Sequence, residues 1–256
     1  MNVQNDTVTC TPASGHPAHA RWADRLPVRK QRDRVEGHIV SRKRVIDHGE
    51  VYTPPGLVND MLDLVAHECE RIDSRFLEPA CGNGNFLAEV LRRKLRTVDS
   101  KENAKNPARW RRDGILAVCS IYGIDLLGDN VAACRARLLA VLAAAHEARF
   151  KEPLPGPDAD AAAFILSRNV VQGDALTLLA ADGQPIIFSE WSPVNGYMLK
   201  RRDFKYAHLL GHAEARSLLG EGSLFNDMGE EAFVPQPVGE RPPCPYQTVA
   251  DTEALP

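Results

Sequence analysis

Between Leu57 and Val65 the apolar residues Leu57, Met61, Leu64 and Val65 recur three and four positions apart. That spacing predicts a helix turning these four side chains inward. Pro54 and Pro55 precede it, where a missing N–H costs nothing. The run "SRFLEPA" at 74–80 is short and reads as a strand. It leads into "NFLAEVLRRKL", with Phe86, Leu87, Val90 and Leu91 on one helical face. Further along, "PARWRRDGILAVCS" reads as a helix, "IYGIDL" as a strand and "DNVAACRARLLAVLAAAHEARF" as a long helix. The segment 151–160 is a loop by its prolines and acids, followed by a short helix near 161–167. "NVVQGDAL" and "QPIIFSEW" are strands, and 203–220 a last helix.

Strands alternating with helices predict an α/β fold with a Rossmann-like, doubly wound parallel sheet. Such sheets bind ligands at the carboxyl ends of their strands. About four strands precede residue 190. A sheet that stops there leaves an apolar edge in need of a cover or a partner.

The ends have a different texture. Residues 1–28 are rich in Pro, Ala, His and Thr without an apolar period, and 29–44 hold seven basic residues against two acids. The basic stretch reads either as a solvated segment or as a phosphate-contacting arm. Pro, Gly and Glu return beyond 220. The expected organisation is a disordered or basic N-terminal segment (1–44), a domain (45–219) and a disordered C-terminal tail (220–256).

Composition narrows the class. The 256 residues are 44% hydrophobic and 25% charged with a net charge of −3, so any basic surface for nucleic acid would have to be local. None of the six cysteines form a CxxC pair, which favours buried, reduced thiols and a cytoplasmic setting. No apolar run approaches the roughly 20 residues of a membrane helix, and no apolar signal core opens the chain. His208 and His212 stand at i, i+4 without a third ligand nearby, so no metal site is expected.

The chemistry concentrates in "FLEPACGNGNFLAEVL", 76–91. Gly82 and Gly84 permit a sharp turn with close backbone approach, and the helix after it points its N-terminal amides at whatever binds there. A dinucleotide site would want a third glycine where Leu87 stands. Glu78 beside the turn is unwelcoming to a diphosphate and suits a ligand carrying an ammonium group. Asp125 and Asp174 both end expected strands that border one crevice; each is either a turn former or half of a two-point grip on an adenosine.

The run Glu78-Pro79-Ala80-Cys81-Gly82-Asn83-Gly84-Asn85-Phe86 resembles the S-adenosylmethionine-binding motif of amino-methylating DNA methyltransferases, the adenine-N6 group in particular. Val51-Tyr52-Thr53-Pro54-Pro55 resembles the F-T-P element of restriction–modification methylation subunits, Tyr122-Gly123-Ile124-Asp125-Leu126 the motif whose acid bonds the ribose, and Gln172-Gly173-Asp174-Ala175-Leu176 the motif whose Asp accepts from the adenine amino group. The resemblance spans about 45–180 and implies the class I methyltransferase fold, S-adenosylmethionine as cofactor and DNA as partner. It implies a cofactor site of Tyr52, Thr53, Glu78, Pro79, Ala80, Gly82, Gly84, Asn85, Phe86, Asp125, Leu126, Asp174 and Ala175.

One family element is missing. The (N/D/S)PP(Y/F/W) motif that orients the target amino group is absent, and Phe188-Ser189-Glu190-Trp191-Ser192-Pro193 stands at its expected place. Trp191 could stack a flipped base with Glu190 as acceptor, a second chain could supply the motif and the remaining strands, or the role could be cofactor binding alone. No catalytic residue is assigned. For DNA contact, "MLKRRDFKY" at 198–206 offers Lys200, Arg201, Arg202 and Lys205 among Phe204 and Tyr206; the other reading is a solvated turn before a helix. Trp110, in the basic run at 108–113, reads as packed.

Overall fold

Pro54 and Pro55 start the helix that begins at Pro55, as their lack of an N–H favours. In the computed structural model, which describes Arg44 and residues 53–100, 105–211 and 235–254, helix α1 is Pro55–Asp63. All of these belong to one unit, His38–Pro256. Tyr52, His48 and His212 lie outside the described residues.

The buried face of α1 is Val58 and Leu62. The four residues expected inward, Leu57, Met61, Leu64 and Val65, are exposed. The reason is that α1 ends at Asp63, with Leu64 and Val65 in the turn before α2, Ala66–Glu70. The apolar pattern is divided between two short helices, and the face that meets the next long helix is set by the pair Val58 and Leu62. Strand β1 is Phe76–Glu78, and α3 is Asn85–Ser100, burying Leu87, Val90, Leu91, Leu95 and Val98. Lys94 is also buried there. Its ammonium donates to the carbonyls of Arg71 (2.8 Å), Ile72 (3.1 Å) and Ser74 (2.5 Å), holding the α2–β1 turn. Burial pushes its pKa down to about 8.

Helix α4, Pro107–Cys119, starts where the Asn106 side chain accepts the amides of Ala108 and Arg109. Trp110 is buried and donates Nε1–H to Asp99 at 2.7 Å, the packed role expected of it. Strand β2 (Ile121–Asp125) leads into α5 (Gly128–Phe150). Helix α6 is Gly156–Asn169, longer than expected because it begins inside the segment read as a loop. Pro155 is its N-cap and Pro157 sits in its first turn, where proline starts helices rather than breaking them.

Strand β3 (Val170–Asp174) and the short β4 (Leu179–Ala180) complete a four-stranded sheet in the order β1-β2-β3-β4. The first three strands are parallel, with Leu77 opposite Tyr122 and Ile124 opposite Val171; β4 runs antiparallel to β3. Helices α3 to α6 connect the parallel strands, so the fold is mixed α/β with a mostly parallel sheet.

A second sheet was not foreseen. Strands β5 (Ile187–Pro193), β6 (Met198–Lys205) and β7 (Gly239–Pro245) form an antiparallel sheet in that order. It packs on the side of β2 that carries Tyr122 and Ile124, which cluster with Ile186, Phe188 and Tyr206. The Tyr122 hydroxyl donates to the Ser189 carbonyl at 3.0 Å. Residues 198–205, for which a solvated turn before a helix was one of two expectations, are strand, and the helix expected from Asp203 begins at Tyr206.

The C-terminal residues also correct the expectation. Gly239–Pro245 is β7, and the 3-10 turns of Tyr246–Ala254 close onto α6. Tyr246 and Val249 are buried, and the Tyr246 hydroxyl donates to Asp158 at 2.5 Å. Prolines in β7 are tolerated because it is an edge strand of its sheet. Residues 220–234 lie outside the described residues. Four described cysteines, Cys69, Cys81, Cys119 and Cys134, are buried free thiols, and Cys244 is a partly buried one. Among the described residues no helix is long and apolar enough to cross a membrane, and no three His, Cys, Asp or Glu residues gather as metal ligands.

Replacing Tyr246 by Ala removes a buried aromatic and strips Asp158 of a donor. The expected loss is about 3–5 kcal/mol in chemical denaturation. A disordered tail would leave the denaturation midpoint unmoved.

Candidate functional site

The site is built where β1, β2 and β3 end. Beyond Glu78 the chain turns sharply, and that turn is held by β2. The Cys81 amide donates to the Ile124 carbonyl at 2.9 Å, and the Gly82 amide donates to Asp125 Oδ2 at 2.9 Å. Glu78 Oε1 accepts from the Ala80 amide at 3.2 Å, so the acid shapes the turn it opens. The Gly84 amide donates to the Cys81 carbonyl at 2.9 Å, and the Gly84 carbonyl accepts from Ala88 in the first turn of α3.

Both glycines have positive φ, 51° at Gly82 and 84° at Gly84. Gly84 has a second constraint: a Cβ there would lie 2.7 Å from Cys134 Sγ on α5. Gly84 therefore sets how closely the loop lies on α5 and stands behind the cavity wall. A hydrogen bond to Cys134, together with burial, pushes the Cys81 thiol pKa up, so it is a packing group rather than a nucleophile.

Asp125 ends β2 and gathers donors on both oxygens. Besides Gly82, its Oδ1 accepts from the Leu127 amide at 2.9 Å and from Asn130 Nδ2 at 3.2 Å. Asp174 ends β3 and its Oδ1 accepts from the Leu176 amide at 2.8 Å. Gln172 Nε2 donates to the Leu126 carbonyl at 3.0 Å, which ties the ends of β2 and β3 together.

These elements enclose a cavity of about 570 Å³, a volume within the range of small-molecule sites. Of the residues named from sequence, Thr53, Glu78, Pro79, Ala80, Gly82, Asn85, Phe86, Asp125, Leu126, Asp174 and Ala175 line it. Gly84 does not, and Tyr52 lies outside the described residues. Met61, Cys81, Asn83, Leu127, Asn130, Gly173 and Leu176 also line it and were not among them. Asn130 had a sequence signal: it follows Asp125 by five residues, one turn into the next helix. The Asn83 Oδ1 is buried without a hydrogen-bond partner in the structure. The cavity thus offers carboxylates at two strand ends, a third at Glu78, the N-terminal turn of α3 and apolar walls from Phe86, Leu126 and Leu176. That set suits a ligand with a hydroxyl-bearing sugar, a flat apolar base and a positive charge.

Three of the four residues expected to meet nucleic acid are engaged with carboxylates of the protein itself. Arg201 is buried and hydrogen-bonds Asp203 (2.8 Å), Glu253 (2.9 Å) and Ser189 (3.1 Å). Lys200 pairs with Glu240 and Arg202 with Glu190, both at 2.5 Å. Alternation in β6 turns its basic residues to the neighbouring strands and to the C-terminal turns, so these three hold the second sheet together. Lys205, at the end of β6, pairs in register with Ile187. The substitute catalytic pair is committed elsewhere too. Trp191 is buried, donates Nε1–H to Asn169 Oδ1 at 2.9 Å and packs edge-on against Phe164. Glu190 pairs with Arg75 and Arg202.

No protein-family model matches the chain, and neither a curated protein nor a solved structure matches it.

The substitution Gly84→Ala meets both the positive φ and the Cys134 sulfur. A loss of about 2–4 kcal/mol is expected in denaturant unfolding, and an unchanged midpoint would contradict the packing role.

Proposed function

We propose that the cavity binds S-adenosylmethionine and that the chain serves methyl transfer to adenine N6 in DNA, in a restriction–modification setting. The observation that carries this reading is the convergence of the Gly82 loop, Asp125 and Asp174 on one cavity at the carboxyl ends of three parallel strands. On this reading the first sheet is the start of a class I methyltransferase fold. The lone pair that Asp125 has left on Oδ2 would accept from a ribose hydroxyl, and the free Asp174 oxygen would accept from the adenine amino group. Glu78 would face the ammonium of the methionine end, with Thr53 near its carboxylate. Phe86 and Leu126 would exclude water from the two faces of the nucleoside. Bound there, the sulfonium would supply an electrophilic methyl carbon, leaving the protein to align donor and acceptor.

A second reading is a non-catalytic cofactor- or DNA-binding subunit that relies on a partner chain for methyl transfer. It is favoured by the engagement of Trp191 and Glu190 in the core and in ion pairs, which removes the one candidate acceptor pair in the chain's own sequence. In both readings the cofactor site is the same.

Calorimetric titration with S-adenosylmethionine tests the shared premise. Wild type should bind, and Asp125→Ala should weaken binding by roughly 10- to 100-fold, as loss of hydrogen bonds to a charged group implies. Equal affinities would remove Asp125 from the site. Transfer of tritiated methyl to an adenine-containing duplex by the isolated chain would support the enzyme and eliminate the subunit reading.

A further inference from the structure

Arg44, at the end of the basic stretch, hydrogen-bonds Asn130, which lines this cavity, and Asp129 beside it. Its guanidinium pairs with Asp129 in the first turn of α5, with Nη2 3.3 Å from Asp129 Oδ1, and the same Nη2 donates to Asn130 Oδ1 at 3.2 Å. The hydrogen bond from Arg44 holds the Asp129 carboxyl below its ordinary range. Asn130 is the residue whose Nδ2 donates to Asp125 Oδ1.

The order of donors matters. An asparagine amide has two ends of nearly equal shape and opposite polarity. Facing Asp125, Nδ2 is attractive and Oδ1 repulsive. A guanidinium can only donate, so Arg44 fixes Asn130 Oδ1 on its own side and leaves Nδ2 for Asp125. Asp125 in turn fixes the Gly82 and Leu127 amides. A continuous run of hydrogen bonds therefore leads from Arg44 through Asn130 and Asp125 to the glycine loop.

We propose that Arg44 is a positioning residue for the cavity: by selecting the orientation of the Asn130 amide it sets the Asp125 carboxylate that holds the loop and grips the ligand's sugar. The statement about the sugar rests on the cofactor reading above; the statement about the loop does not. Arg44 therefore contacts protein carboxylate where a phosphate contact was one of the sequence expectations. The pairing with Asp129 is a separate contact of the same guanidinium and is not what turns the Asn130 amide.

The test compares Arg44→Ala with Asp129→Asn, which keeps the Asn130 contact. Amide hydrogen exchange at Gly82 and Leu127 is followed in the ligand-free protein, and affinity is measured for S-adenosylmethionine and for its 2′-deoxy analogue. Melting temperatures of both variants should stay within about 2 °C of wild type, since partly exposed ion pairs contribute little. Arg44→Ala should speed exchange at both amides and weaken S-adenosylmethionine binding about tenfold, the scale of one lost hydrogen bond. The weakening should shrink to about twofold or less for the 2′-deoxy analogue, a coupling that general loosening would not produce. Asp129→Asn should resemble wild type. Wild-type exchange at Gly82 and Leu127 in Arg44→Ala would overturn the proposal, as would an Asp129→Asn variant as impaired as Arg44→Ala. Faster exchange in Arg44→Ala with no binding by wild type would sustain the positioning role and sink the cofactor reading instead.

Discussion

The carboxylate of Asp125 is the point on which the cavity depends. It sits where β2 ends and collects two backbone amides and one side-chain amide. One amide comes from the loop after β1, another from the chain leaving β2, and the side chain from the first turn of α5. The loop after β1, 43 residues earlier in the chain, is thus pinned to the turn between β2 and α5 at one point. The glycine loop needs this because its conformation is unfavourable for most residues and its own internal bonds are few. Gly84 complements the arrangement from behind, where a larger residue would be pushed off Cys134.

Much of this was legible in the sequence because the chemistry is local. Glu78 to Phe86 announces a turn with exposed amides, and Asp125 and Asp174 stand at the ends of apolar runs. Eleven of the residues named from sequence line the cavity. The shortfalls came from contacts that no local pattern encodes. Residues 239–254 are rich in proline and polar groups, yet Tyr246 and Val249 find a place against α6 through Asp158. The basic residues of β6 looked like a nucleic-acid face because their carboxylate partners, Glu190, Glu240 and Glu253, are remote in the chain or on another strand. In α1 the apolar period was real, but a turn at Leu64 and Val65 divided it, and the helix presents Val58 and Leu62 instead. Arg44 could not be placed at all, since its partners lie more than eighty residues away.

The second sheet separates the two halves of the functional question. Its Phe188 joins Tyr122 and Ile124 of β2 while its Trp191 and Leu199 join the main core, so that Glu190 and Trp191 serve as structural groups. On the proposed reading the cavity is the candidate site for the methyl donor, while the stretch where the resemblance implies the acceptor motif is engaged in packing and ion pairs. Strand β1 stands at one edge of the parallel sheet among the described residues, with Leu77 partly exposed. Its carboxyl end, at Glu78, opens into the cavity.

A crystal structure with S-adenosylhomocysteine bound tests the central claim most directly. The account predicts its adenosine in the cavity, with a ribose hydroxyl on Asp125 Oδ2, the adenine amino group near Asp174 and the Gly82 loop unchanged. A ligand seated elsewhere, or an Asp125 carboxylate turned away from both Gly82 and the sugar, would contradict it.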